Sequence, residues 1–305
     1  MEENIKNAND GGSVIFSGSY LDTPENKSIT VREGIVEIAE NAFRGFNHLE
    51  TVKLPRSLRV IAASAFAECK SLCRVEIQHG VEVIGDEAFS SCPSLTEIYL
   101  PDSVTGIGEG AFEACASLSS VRLSERVSTI GAAAFAYCFN LKHIVIPDSC
   151  YLLEFNAFAS CFSLESVKLS ESMRLIDNST FEGCRSLESV ELPTRLVKIG
   201  RLAFKGCTSL RSLVLPYALA EIGFDAFYGC TALGRIAIPK TVNTIEDNEA
   251  FGACDSLAEI SFGGSEQEWN YLTRGRCVTI ERSDLSVFTP RVVCLSLSDN
   301  NGDKE

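Results

Sequence analysis

The stretch Val81–Pro101, V-E-V-I-G-D-E-A-F-S-S-C-P-S-L-T-E-I-Y-L-P, returns in altered form every 23 residues and decides how the chain is read. Phe89 is echoed by Phe43, Phe66, Phe112, Phe135, Phe158, Phe181, Phe204 and Phe227, and one residue late by Phe251. Three residues after each stands a cysteine, from Cys69 to Cys254; only the first copy differs, with Phe46. Three further on is always leucine, from Leu49 to Leu257. Self-similarity at a fixed period of about 20–50 residues marks a solenoid, in which stacked copies share one continuous core.

Each part of the repeat has a physical assignment. Leu95, Ile98 and Leu100 follow L-x-x-I-x-L, and the last two alternate as in a strand with one buried face. Pro101 ends that strand because it has no N–H to donate, and Pro55, Pro147, Pro193, Pro216 and Pro239 recur in its place. Gln78, Ser124 and Ser170 stand there in other copies. Val104 and Ile107 give a second short extended piece. Gly108, with Gly85, Gly131, Gly200 and Gly223 in the same slot, is read as a backbone turn. Ala111, Phe112 and Cys115 have the spacing of one helical turn with a buried side. A coil with one apolar edge cannot bury it alone. Stacking forms columns of Phe, Cys, Leu and Ile, with parallel strands in register and a right-handed coil.

The unit L-x-x-I-x-L-P-x-x-V-x-x-I-G-x-x-A-F-x-x-C-x-x, seen at Leu95–Ser117 and in nine related copies, resembles the 23-residue leucine-rich repeat of BspA-like proteins, the Treponema pallidum-type class. G-G-S-E-Q-E-W-N at 263–270 is similar to the G-T-x-x-x-W close that follows the last repeat in such proteins. The resemblance covers residues 29–272. It implies a bacterial or protist surface protein, some relatives being linked to adhesion to host matrix proteins and other cells, and it brings no catalytic residues. The expected fold is a β-rich, right-handed leucine-rich-repeat solenoid, with parallel strands on one face and short helical turns on the other. Its divisions are an N-terminal cap over 1–28, about ten repeats over 29–262, and a C-terminal cap and tail over 263–305.

The ends are expected to differ from the middle, since one face of a terminal coil meets water. Val14–Phe16 is read as an edge strand capping the first coil. Ser265–Glu268 has the S-x-x-E form of a capping box, so a short helix bearing Trp269 and Leu272 is expected to cover the far end. Extended pieces follow at Cys277–Ile280 and Val292–Leu295, and the chain frays from Ser298. Two copies are irregular: Glu154 and Asp177 stand where glycine is usual, and one extra residue precedes Phe251. Copy drift is the favoured account of the first two, a bulged turn of the third.

Composition narrows function. The net charge of −14, from 41 acidic and 27 basic residues, argues against a nucleic-acid partner, which would want a basic stripe. No run of about 18 apolar residues is present, so no membrane insertion is expected. Met1–Asp10 has neither a basic segment nor an apolar core, which predicts a cytoplasmic protein as written; a preceding leader would make it secreted or surface-bound. Of 13 cysteines, nine lie in the ladder and read as small, reduced, buried hydrophobes, leaving Cys73, Cys150, Cys277 and Cys294 outside it. Cys277 and Cys294 are the pair open to bridging in an oxidising compartment. No metal or cofactor is expected: His48, His79 and His143 fall at unrelated points of the repeat, and G-x-S-x-G, Walker A and H-E-x-x-H motifs are absent. Acidic pairs such as Asp86-Glu87 are read as solvated outer-turn residues.

The expected working surface is the strand face, whose outward residues folding leaves unconstrained. Ten strands at about 4.8 Å give roughly 45–50 Å along the stack. Tyr99, Arg122, His143, Val145 and Lys168 form a central cluster of types enriched at binding hot spots, and Val214 with Tyr217 and Ala237 a second, more apolar one. The reading is a non-enzymatic, monomeric protein-binding solenoid of interaction or adhesion type. The alternative is a structural scaffold module of a larger assembly with no dedicated ligand.

Overall fold

The computed structural model describes residues 5–7, 14–16, 24–246, 249–274, 280–281 and 287–295. Each 23-residue coil has three sides. The first carries a strand of three or four residues, such as Glu97–Tyr99; the second a strand of two, such as Gly106–Ile107; the third a run of turns around the phenylalanine. Partners across coils are 23 residues apart and parallel, as in Glu97↔Ser120, Ile98↔Val121 and Tyr99↔Arg122. The stack has about ten coils.

The core is a set of columns. Phe43 through Phe227 and then Phe251 are buried, with neighbouring ring centroids 4.8–5.9 Å apart and planes within 18°. Parallel planes at such centroid distances are offset stacks, which the ring quadrupole favours over direct sandwiches. The extra residue before Phe251 leaves the column intact: the Phe227 and Phe251 rings are stacked 5.6 Å apart with parallel planes. Where that residue is accommodated, at Asp247 and Asn248, lies outside the described residues.

Beside the rings runs a thiol ladder. Every ladder cysteine directs Sγ at the carbonyl of the phenylalanine one coil back: Cys69 to Phe43 at 3.0 Å, Cys138 to Phe112 at 3.2 Å, Cys254 to Phe227 at 3.1 Å. In seven of the nine, that oxygen also accepts the N–H three residues on, as Phe43 does from Phe46 at 3.1 Å, so there the thiol fills its second lone pair. Phe46 takes the cysteine slot in the first copy and packs edge-on against Phe43 at 5.3 Å and 80°.

The third side is not a helical turn. Two residues before and two after each phenylalanine from Phe43 to Phe227 the backbone is left-handed, as at Glu87 (φ 53) and Ser91 (φ 56) around Phe89, and this breaks any helix into consecutive turns. The same geometry turns alternate N–H groups toward the next coil. Glu87, Phe89 and Ser91 donate to Glu109, Ala111 and Glu113 at 2.6, 2.8 and 2.7 Å. The phenylalanine N–H bond recurs at 2.8–2.9 Å from Phe43 to Phe227, so this ladder runs without interruption.

The strand columns are less continuous. The second column forms one sheet from Ile5–Asn7 and Val14–Phe16 through Leu152–Leu153, and another from Leu175–Ile176 to Thr244–Ile245. The break coincides with the irregular copies: Glu154 N still reaches Ile130 O at 3.0 Å, whereas Asp177 turns its carboxylate onto the N–H of Asn178 at 2.7 Å. The first column splits into sheets ending at Arg74–Glu76, Ser120–Arg122 and Ser189–Glu191.

The glycines at 85, 108, 131, 200 and 223 have no left-handed φ, so they are not turn residues. A Cβ on Gly131 would lie 2.7 Å from Glu109 N and Gly108 C. Glycine is there because the backbone of the preceding coil passes against it. Proline is replaced where a serine hydroxyl accepts instead: Ser124 Oγ from Arg126 N at 3.0 Å and Ser170 Oγ from Ser172 N at 3.1 Å.

At the N-terminal end Val14–Phe16 pairs with Glu37–Ile38, and Ile5–Asn7 folds back antiparallel on it. At the other end Ser265 caps helix Glu266–Leu272 with a full capping box, and Trp269 and Leu272 are buried, the Trp269 ring 5.4 Å from Phe262. Arg291–Cys294 then pairs parallel with Glu259–Phe262, so the tail adds a strand to the first column. Ile280–Glu281 pairs antiparallel with Val287–Phe288. Cys277 and the residues from Ser296 onward lie outside the described residues.

Candidate functional site

On the strand face the pleat sends alternate side chains to solvent. Tyr99 and Arg122 are register partners, and the Arg122 guanidinium lies 4.9 Å above the Tyr99 ring. Val145 and Lys168 are likewise partners, with Glu191 next in line, and Val145 is 58% exposed. His143 Nδ1 is 2.9 Å from Ser166 Oγ, and its Nε2 is 3.8 Å from Glu165. The five residues expected to cluster therefore share one face over four successive coils.

The second group spans a strand position and the turn that follows it. Val214 is 82% exposed and bridges to Ala237. Tyr217, past Pro216, leaves the strand for the corner of the coil, where its carbonyl accepts from Thr241 Oγ1 at 2.6 Å.

Two cavities lie where the first column opens. One of about 580 Å³, lined by Arg74, Glu76, Glu97, Tyr99 and Arg122, sits beside the break between Arg74–Glu76 and Glu97–Tyr99. Another of about 330 Å³, lined by Ser120, Arg122, His143 and Val145, marks the next break. Both flank the Tyr99–Arg122 pair. A larger cavity, about 870 Å³, lies on the turn face among Tyr137, Phe162, Arg185 and three glycines. The sequence reading missed it; its trace is Tyr137, in a slot otherwise filled by Gly, Glu, Ser or Ala, with Phe139 and Phe162 sharing the slot two residues on.

The acidic residues do more than meet water. Asp86 Oδ1 accepts the Glu109 N–H of the next coil at 2.9 Å, and Asn178 does the same for Arg201 at 2.8 Å. Glu154 and Glu246 reach back to Ala132 and Phe224 at 3.0 and 3.1 Å. Its bond to Arg201, joined by that Phe224 N–H, holds the Glu246 carboxyl below the usual range despite some burial. At the proline corner Asp102, Asp148 and Glu171 cap Glu125, Glu171 and Thr194. Part of the acidic surplus is thus a second set of rungs between coils.

The ladder thiols are poor nucleophiles. Burial pushes Cys115, Cys161 and Cys254 up to about 12, and the described cysteines are unbridged. Cys73, by contrast, is exposed. Iodoacetamide at pH 8 is expected to modify Cys73 in the native protein and the nine ladder cysteines only after unfolding; mass spectrometry of tryptic peptides reads the difference. Among the described residues no three His, Cys, Asp or Glu side chains converge as a metal site would require, and no helix is long and apolar enough to cross a membrane. The three histidines are exposed and separate.

Comparison with known proteins agrees with this architecture. The sequence profile described as BspA type leucine rich repeat region (6 copies) matches residues 13–142 and 128–258. No curated protein matches. A leucine-rich cell surface protein from Faecalibacterium prausnitzii A2-165 is 30% identical, over 81% of this chain and 82% of that one, with a TM-score of 0.50. A leucine-rich repeat protein from Bacteroides ovatus ATCC 8483 is 23% identical over 96% and 91%, with a TM-score of 0.61, and so shares the fold. With the repeat, the phenylalanine and cysteine columns and the profile in agreement, the chain belongs to the BspA-type leucine-rich repeat family.

Proposed function

We propose that the chain is a non-catalytic protein-binding module of interaction or adhesion type, and that it binds through the strand face centred on Tyr99, Arg122 and Val145. The observation that carries this is the stacked Tyr99–Arg122 pair, set between two openings of the strand column and next to an exposed valine. Tyr99 supplies large contact area with few rotors to immobilise, and the Arg122 guanidinium is packed against its ring, which suits an anchor. Lys168 and His143 extend the patch with donors. The resemblance to a cell surface protein at 30% identity supports the adhesion side of the reading.

The test is a triple substitution, Tyr99→Ala, Arg122→Ala and Val145→Ser. All three side chains point to solvent, so stability should change little, within about 0.5 kcal/mol per site. A partner retained by the wild-type protein in pull-down is expected to be lost. An unaltered set of captured proteins points instead to a scaffold module, and recovery of the native protein only from the cytosol counts against adhesion.

A further inference from the structure

The turn face carries a second site. The left-handed slot two residues after each phenylalanine is filled by Glu68, Ser91, Ala114, Tyr137 and Ser160 at φ of 56–62°, then by Gly183, Gly206 and Gly229 at 72–74°. Since L-residues hold this conformation in neighbouring coils, the backbone alone does not demand glycine there. Its consequence is a floor without side chains: nothing lies closer than 3.7 Å to a Cβ placed on Gly206 or Gly229. The result is the cavity of about 870 Å³, a trough running along the stack from Glu113 to Tyr228.

One flank is a pile of planar groups. Phe139 stacks on Phe162 at 4.9 Å, and the Arg185 guanidinium lies 4.7 Å above Phe162. Arg185 makes no ion pair and no side-chain hydrogen bond among the described residues, so its fork of N–H donors is free and held in place by the ring. On the other flank Lys205 bonds Asp225 at 3.0 Å and lies 4.9 Å from the Tyr228 ring. Glu113 stands at the opposite end, where partial burial, with the nearby Glu87 and Glu109, raises its pKa. Glu182 also lines the trough, in the coil of Arg185, and Asp225 pairs with Lys205, so among the lining side chains Arg185 is the cation without an ion pair, three coils from the Glu113 carboxylate.

We propose that this trough binds an extended peptide carrying an acidic and a basic side chain about four residues apart, the carboxylate on Arg185 and the cation on Glu113. The spacing follows from the stack. Glu113 and Arg185 stand three coils apart, and the ring steps between are 5.2, 5.3 and 5.9 Å, about 16 Å in all. Four residues of extended chain span roughly 13 Å, and side-chain reach covers the rest. Carboxylate fits the guanidinium fork bidentately. A peptide suits the trough better than a glycan: Phe162, the phenylalanine that lines it, lies between Phe139 and the Arg185 guanidinium, which leaves its edge where a sugar would need an open face. The bare floor admits a backbone.

The experiment is fluorescence polarisation of a fluorescein-labelled nine-residue peptide with lysine and aspartate four apart around a Val-Ser-Val centre. Saturable binding is expected, weakened at least tenfold by Arg185→Gln, by replacing the peptide's aspartate with asparagine, and by Gly206→Asn, which fills the trough with a residue that tolerates positive φ. The Tyr99, Arg122 and Val145 triple variant should bind this peptide unchanged, which separates the site from the strand face. Arg185 is exposed, so its variant keeps the test valid even where Gly206→Asn lowers melting. No saturation by millimolar peptide overturns the proposal. So does equal affinity for R185Q, or a sulfated oligosaccharide binding with R185Q sensitivity where the peptide does not.

Discussion

Replacing Phe135 with alanine is expected to destabilise the protein by about 3–5 kcal/mol, the range for truncating a large buried aromatic side chain. The Phe135 ring is fully buried between Phe112 at 5.2 Å and Phe158 at 5.3 Å, so the substitution removes two stacking contacts along with the burial. The backbone cannot collapse into the gap, because Phe135 N is tied to Ala157 O at 2.8 Å and Cys161 Sγ to Phe135 O at 3.1 Å. Phe135→Leu should cost clearly less, since leucine fills much of the volume. Urea denaturation followed by circular dichroism checks both. Because a solenoid gains stability from neighbour to neighbour, hydrogen exchange should rise in the flanking coils before the ends respond. A loss under about 1 kcal/mol would mean that the column is not what holds the coils together.

Gly131→Val is expected to rank next, at about 1–3 kcal/mol or somewhat more, as for overpacking a tight interior. What its side chain would meet is backbone: Glu109 N and Gly108 C at 2.7 Å and Gly108 O at 3.0 Å. Relief requires separating coils that Gly131 N and Ile107 O join at 2.9 Å. Gly234→Ala is the control, as nothing lies within 4 Å of its added Cβ, and its effect should stay within about 0.5 kcal/mol. The comparison also separates the two explanations of the glycine. A turn glycine would accept asparagine, whereas at Gly131 any side chain must first displace the Gly108 and Glu109 backbone. Thermal melts of Gly131→Asn and Gly131→Val should both fall well below that of Gly234→Ala.

The strand face and the trough were not equally visible beforehand. Tyr99, Arg122, Val145 and Lys168 could be placed on one face from spacing, because strand residues alternate sides and every coil repeats the same register. That the Arg122 guanidinium lies over Tyr99 follows from side-chain reach across a register pair. Tyr217 lies in the turn after Pro216, beyond the strand position of Val214. The trough depends on what is missing from three consecutive coils. A glycine at 183, 206 or 229 looks like any other glycine until the flanking slots are known to face each other.

Residue type and spacing alone establish the period, the register and the buried columns. Phe, Cys, Leu and Ile at fixed spacing can be buried only by stacking like on like, and that constraint is written in residue type. The helix at 266–272 was legible for the same reason, since Ser265 and Glu268 have side chains suited to its unpaired N–H groups. Which main-chain ladder runs unbroken emerges only once the coils are stacked. The strand columns divide, while the turn face, expected to be helical, carries the continuous set of bonds from Phe43 to Phe227. That outcome rests on left-handed backbone at residues as unlike as Glu87, Ala133, Leu202 and Asp225. No side-chain type announces it, because the next coil, through the hydrogen bond it accepts, holds each of these residues in a conformation it would seldom take alone.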